Sequence, residues 1–238
     1  MINNYYTFYK PHNILKYTKY LYYPILILSI IIFSAGLYLG IMCLDTDYQQ
    51  GESYRILYIH VPLAWSSTLI YYISSFFSLI YIVTRSPIYS MLSVINMEIG
   101  LVSTFLTLVT GSLWGLPTWG TWWVWDARLT SVLILLIVYI IHYLIAKNIF
   151  NANHSLMIAN IFCLIGALII PIVKKSVEWW STLHQSSSIA QSHSSVHFYI
   201  LISLLLIWFS YCLIIIIVNI NGIRYELIKS KGSRYINI

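Results

Sequence analysis

Six stretches of this chain are too long and too apolar to be left facing water. They run roughly over Tyr23–Leu44, Ile59–Val83, Val94–Leu113, Leu129–Ala146, Ser155–Val173 and His197–Ile220. A helix needs about 20 apolar residues to cross a bilayer. All six runs meet that requirement, the third and fourth by the smallest margin. Lipid offers no partner for backbone N–H and C=O groups, so each run must be helical. The expected fold is all-α: a polytopic membrane protein with six transmembrane helices, forming one domain over residues 1–238.

Composition agrees with this. Of the 238 residues, 59% are apolar and only 8% charged, and mean hydropathy is +0.78. Soluble domains average about 25% charged residues. The net charge of +6 is carried at helix ends rather than on one contiguous face, which argues against nucleic acid as a partner. The aromatic, basic segment Met1–Tyr22 has no small-residue cleavage site after an apolar core, so no removable signal peptide is expected. Cys43, Cys163 and Cys212 lie in or beside apolar runs without a CxxC spacing and read as small apolar residues. Richness in Ile, Tyr and Asn points to an AT-rich genome, organellar or bacterial. Neither a Walker nor a Rossmann glycine pattern is present.

Orientation follows from the distribution of Lys and Arg. Nine lie on the side of the two termini: Lys10, Lys16, Lys19, Arg85, Lys147, Arg224, Lys229, Lys231 and Arg234. Four lie on the other: Arg55, Arg128, Lys174 and Lys175. The positive-inside rule then places both termini in the cytoplasm or matrix. Three loops face outward: Asp45–Tyr58, Trp114–Arg128 and Lys174–Val196. They hold nearly all the chemically versatile side chains.

The middle outward loop is WGLPTWGTWWVWDAR, Trp114–Arg128. Trp114, Trp119, Trp122, Trp123 and Trp125 fall within twelve residues. Gly115, Pro117 and Gly120 read as breakers, so the stretch is expected to be a shaped aromatic platform rather than a helix. The plainer reading is an interfacial aromatic belt. Belts, however, spread their rings over many helix ends instead of gathering five in one loop.

Two histidines share that side. His60 opens the second span in YIHVPLAW, with Pro62 expected in the first helical turn. His184 follows Trp179 and Trp180 in VEWWSTLHQSSS. Imidazoles on separate loops can approach a metal in a flat macrocycle from opposite faces, as in haem. Tryptophans would wall the ring, while Arg55, Arg128, Lys174 and Lys175 are candidate partners for its carboxylates. His193 and His197 are alternative ligands in serine-rich surroundings that offer no aromatic wall. His12, His142 and His154 fall on or toward the inward side. Glu98, an acid within an apolar run, is either functional or snorkels to nearby water. Asp126 either pairs with Arg128 or orients an imidazole. Asp45, Asp47, Gln50, Glu52 and Arg55 form a polar lip, read as a solvated turn or a docking surface.

These residues resemble a known family. WGLPTWGTWWVWDARLTS is similar to the tryptophan-rich WWD signature of haem-handling proteins, and its ARLTS continuation resembles the haem exporter protein C (CcmC) branch of cytochrome c maturation. The likeness extends to YIHVPLAW and VEWWSTLHQ and covers nearly the whole chain. It implies a six-helix inner-membrane protein; the AT-like bias and the lack of a targeting segment favour the mitochondrial inner membrane, with a bacterial plasma membrane as the alternative. It implies haem b as cargo, held by His60 and His184 as metal ligands. Trp114, Trp119, Trp122, Trp123, Trp125, Asp126, Arg128 and Arg55 would form the surrounding site. The implied task is loading haem onto the chaperone CcmE, with the CcmA/CcmB transporter and the small CcmD subunit as partners. Such a protein handles and transfers haem and carries no catalytic residue of its own.

Three other functions compete with this one. A haem lyase would be longer, with proline after the aspartate of the signature. A transport subunit would place polar residues at several depths, and the helices offer few beyond Glu98 and the Ser and Thr residues of the third run. A plain membrane anchor leaves the tryptophans unexplained.

Overall fold

A computed structural model describes residues 11–45, 47–147, 152–184 and 197–236. It is all-helical. Helix α1 covers Pro11–Met42, α2 Leu57–Thr84, α3 Pro87–Trp119, α4 Ala127–Ala146, α5 Ala152–Gly166, α6 Ile169–Trp179 and α7 Phe198–Ile236. A 3-10 turn over Glu52–Ile56 leads into α2. Six segments are long and apolar enough to cross a membrane, α5 and α6 together counting as one. The chain is an integral membrane protein.

Three boundaries differ from the sequence reading. Pro62 is not in the first turn of α2, because the 3-10 turn starts the helix early and leaves the proline at its sixth position. The third span is not marginal: α3 is 33 residues long and contains both Gly115 and Pro117. Pro117 lies in the last turn of α3, where it forfeits its own bond to the Leu113 carbonyl, and α3 ends at Gly120, a left-handed cap with φ 75°. The fifth run breaks in two. Pro171 cannot donate to the Ala167 carbonyl, and the chain crosses the break on short-range bonds: Ala167 N–H to Leu164 O and Leu168 N–H to Ile165 O.

The core has two centres. Tyr71, Met97, Leu135, Tyr139, Cys163, Ile170 and Val173 join α2 through α6. Tyr58, Leu204 and Ile207 join α2 and α7, with Leu37 of α1 packed against them. Close approach depends on small residues, as expected where lipid removes the hydrophobic drive between helices. The Tyr139 ring occupies the notch at Gly100, and its hydroxyl donates to the Ser67 carbonyl at 2.7 Å. On α7, Ser203 and Ser210 donate to the Gly36 and Ser29 carbonyls of α1 at 2.7 and 2.8 Å.

The interior is more polar than the sequence reading allowed. Ser66, Ser67, Ser74, Ser75 and Ser78 are buried on α2, His142 on α4 and Asn160 on α5. Much of this polarity is internally matched. Asn96 and Asn219 exchange amide bonds at 2.9 and 3.1 Å, Ser78 meets Ser93 at 2.7 Å, and Asn160 donates to Ser90 at 2.8 Å. Side-chain hydrogen bonds of this kind join helices within a bilayer.

Candidate functional site

The 3-10 turn, the end of α3, the loop Gly120–Asp126 and the segment after α6 meet at one end of the bundle. The tryptophan-rich stretch is therefore only partly a loop. Trp114–Trp119 form the last turns of α3, and the non-helical part is Gly120–Asp126. The helix continues through Gly115 because that glycine seats a ring rather than breaking the chain. A Cβ there would lie 2.9 Å from Trp119 Cε3.

His60 projects from α2 onto α3. Its Nδ1 is 3.0 Å from Thr110 Oγ1, and a Cβ on Gly111 would come within 3.0 Å of its Cε1. Trp114 covers it edge-on, with ring centroids 5.8 Å apart at 73°. Gln50 of the polar lip fixes Trp114, whose Nε1 donates to Gln50 Oε1 at 2.7 Å. Asp47 folds that lip by accepting from the Gln49 and Gln50 amides at 2.9 and 2.8 Å. One turn further along α3, Trp119 lies 6.5 Å from the His184 ring at 59°. Each histidine thus has its own tryptophan on the same helix. His184 and Arg128 are also near enough to His60 to interact with it electrostatically.

The remaining tryptophans differ in character. Trp114 and Trp119 are half-buried, whereas Trp122 and Trp125 are 53% and 76% exposed. Trp123 packs on Trp125 at 5.4 Å, and its indole N–H has no hydrogen-bond partner among the described residues. A cleft of about 400 Å³ opens between Val124–Ala127 and Trp180–Leu183. Asp126 lines it. Its Oδ1 caps α4 by accepting from the Leu129 N–H at 2.8 Å, and its Oδ2 is buried without a partner among the described residues.

The candidate cations have other attachments. Arg55 pairs with Glu52 at 2.6 Å and donates to the Ile41 carbonyl. Arg128 donates to the Val173 carbonyl at 2.7 Å, tying α4 to α6. No ion pair joins Asp126 to Arg128 among the described residues. Lys175 pairs with Glu178 at 2.6 Å, and Lys174 sits 5.5 Å over the Tyr72 ring. A guanidinium has five donors, so Arg128 retains capacity beyond its bond to Val173.

His197 begins the run into α7, 5.6 Å from Tyr199. His193 and the serine-rich stretch lie outside the described residues. His142 is fully buried within α4, with no hydrogen-bond partner on either nitrogen among the described residues. Glu98 is matched to Lys147 at 2.7 Å. The sequence reading missed Gln50 as an anchor, Thr110 as a contact to His60, and the seats at Gly111 and Gly115. Only one signal was present: Thr107, Thr110 and Gly111 of the third run and Gly115 just beyond it recur at helical spacing.

Comparison with known proteins decides the family. The family model for heme exporter protein C matches residues 4–236. The chain belongs to the heme exporter protein C family. A cytochrome c biosynthesis ccmC-like mitochondrial protein of Marchantia polymorpha is 47% identical over 176 residues, covering 74% of this chain and 75% of its own length. The heme exporter protein C of Bradyrhizobium diazoefficiens is 38% identical over 204 residues, 85% of this chain and 77% of that protein. The Haemophilus influenzae heme exporter protein C is 36% identical over 208 residues, 87% and 85% respectively. Among these relatives the heme exporter protein C family thus includes both mitochondrial and bacterial proteins.

Proposed function

We propose that this chain holds haem b between His60 and His184 on the outward face of the mitochondrial inner membrane and passes it to the chaperone CcmE. It does so beside the CcmA/CcmB transporter and CcmD. The observation carrying this reading is the pairing of each histidine with a tryptophan of α3: His60 with Trp114 and His184 with Trp119. An iron porphyrin is a flat apolar disc that takes axial imidazole and gains from aromatic walls.

The chemistry at the rim fits the same cargo. Haem carries acidic groups at its edge, and Arg128 has donors to meet them. The orphaned Trp123 N–H and the open cleft beside Asp126 offer polar contact to a further group. Exposed Trp122 and Trp125 suit a protein partner, since aromatic anchors are enriched at interfaces. In this division of labour Trp114 and Trp119 wall the cargo, while Trp122 and Trp125 meet the chaperone.

The test is spectroscopic. Haem bound to the purified full-length protein is expected to show a bis-imidazole absorption spectrum. His60→Ala and His184→Ala are each expected to abolish it. An unchanged spectrum in both variants would sink the assignment. Trp125→Ala is expected to leave the spectrum intact and to slow transfer to the chaperone.

A further inference from the structure

His60 is gripped on one side only. Thr110 Oγ1 is 3.0 Å from its Nδ1. The same hydroxyl is 2.8 Å from the Leu106 carbonyl and 3.2 Å from the Thr107 carbonyl. Carbonyl oxygens only accept, and a threonine hydroxyl has one hydrogen to give. Thr110 donates that hydrogen to Leu106, the ordinary back-bond of a threonine within a helix. Its oxygen can then only accept from His60. The ring proton must sit on Nδ1, and the lone pair is left on Nε2.

We propose that Thr110 is a positioning residue: its hydroxyl, beside the glycine seat at Gly111, holds the His60 imidazole as the Nδ1–H tautomer with Nε2 presented as the ligand atom. The inference rests on the reading of His60 as an iron ligand. Ligating histidines commonly have their second nitrogen held by an acceptor, which fixes the ring and raises its basicity. Here the acceptor is supplied by α3, the helix that also carries Trp114, so ligand and wall are set by one element. Gly111 contributes space. A Cβ there would meet Cε1 at 3.0 Å and Nδ1 at 3.6 Å, pushing the ring away from the hydroxyl.

The prediction separates hydrogen bonding from shape. Valine matches threonine in volume but cannot accept a hydrogen bond, whereas serine retains the hydroxyl. Thr110→Val is expected to weaken haem retention by about ten- to a hundredfold, the range for loss of such outer partners. It is also expected to make the bound haem easier to reduce, because the ligand donates less charge. Thr110→Ser is expected to restore most of both properties. Gly111→Ala is expected to shift both in the direction of Thr110→Val.

The deciding measurement needs no haem. Nitrogen-15 imidazole spectra of the full-length haem-free protein are expected to show the His60 proton on Nδ1. A proton on Nε2 in the unsubstituted protein would overturn the proposal, whatever the variants do. So would Thr110→Val with unchanged tautomer, haem retention and reduction. The underlying reading fails separately, if His60→Ala leaves the bound-haem spectrum unaltered. Loss of that spectrum in His60→Ala, alongside a silent Thr110→Val, removes the positioning role alone.

Discussion

Gly100 and Gly115 occupy one helix and accept rings of different purpose. At Gly100 a Cβ would sit 2.3 Å from Tyr139, in the middle of the bundle where neither helix can yield easily. Gly100→Ala is expected to cost about 1–3 kcal/mol, the usual range for overpacking, seen as a lower thermal midpoint in detergent. At Gly115 the neighbour is Trp119 at 2.9 Å, a half-buried ring with room to swing. Gly115→Ala is expected to leave the midpoint nearly unchanged and to weaken haem binding severalfold in titration. Sequence patterns named His60, His184 and the tryptophans because those residue types are unusual where they stand. They misread Gly115 as a breaker because the ring that fills a notch is invisible to a pattern. Thr110 stood in view as a polar residue of an apolar run, but its partner lies 50 positions away.

At the scale of elements, runs of apolar residues located every membrane-crossing segment, since lipid dictates both length and composition. Their ends were less legible. α3 outlasts its apolar run and carries Pro117 in its last turn, whereas the fifth segment breaks just before Pro171. Asp126 proves to be the N-cap of α4. Asp126→Ala is expected to cost about 1 kcal/mol, and Asp126→Asn only a few tenths, since asparagine caps as well as aspartate. Thermal unfolding of the pair checks this. The Glu98–Lys147 pair links α3 to α4, but its side chains are 39% and 51% exposed, so about 0.2–1 kcal/mol is the most to expect. The Glu98 hydrogen bond raises the Lys147 pKa. The pair's contribution is therefore complete below the ordinary lysine value and is lost as pH climbs through the raised one. Lys147→Ala should lower the midpoint at neutral pH and lose its effect in strong alkali.

For the whole molecule, the charge asymmetry of the loops predicts that the site faces away from the termini. Cys43 is exposed near the same end, Cys163 is buried and Cys212 half-buried. A membrane-impermeant maleimide added to sealed vesicles is expected to label Cys43 from the outward face alone. Labelling only after the inner face is opened would reverse the topology. Hydropathy made the architecture readable, because the bilayer acts on averages over about twenty residues. The candidate site draws on individual atoms from separate segments, and their meeting in space is not written in any one of them.

The length of α3 has a mechanical meaning. Thirty-three residues make a rod of about 50 Å, pinned to α7 by Asn96 and to α2 by Ser93 and bearing Trp114 and Trp119 at its tip. One jaw of the site is thus the end of a beam anchored through the full depth of the bundle. The other is Trp180–His184, a stretch with no helix of its own. On the proposed function, unequal jaws of this kind predict a clamp that opens from one side, with cargo leaving by the path of the weaker jaw, next to the cleft where Trp125 stands exposed.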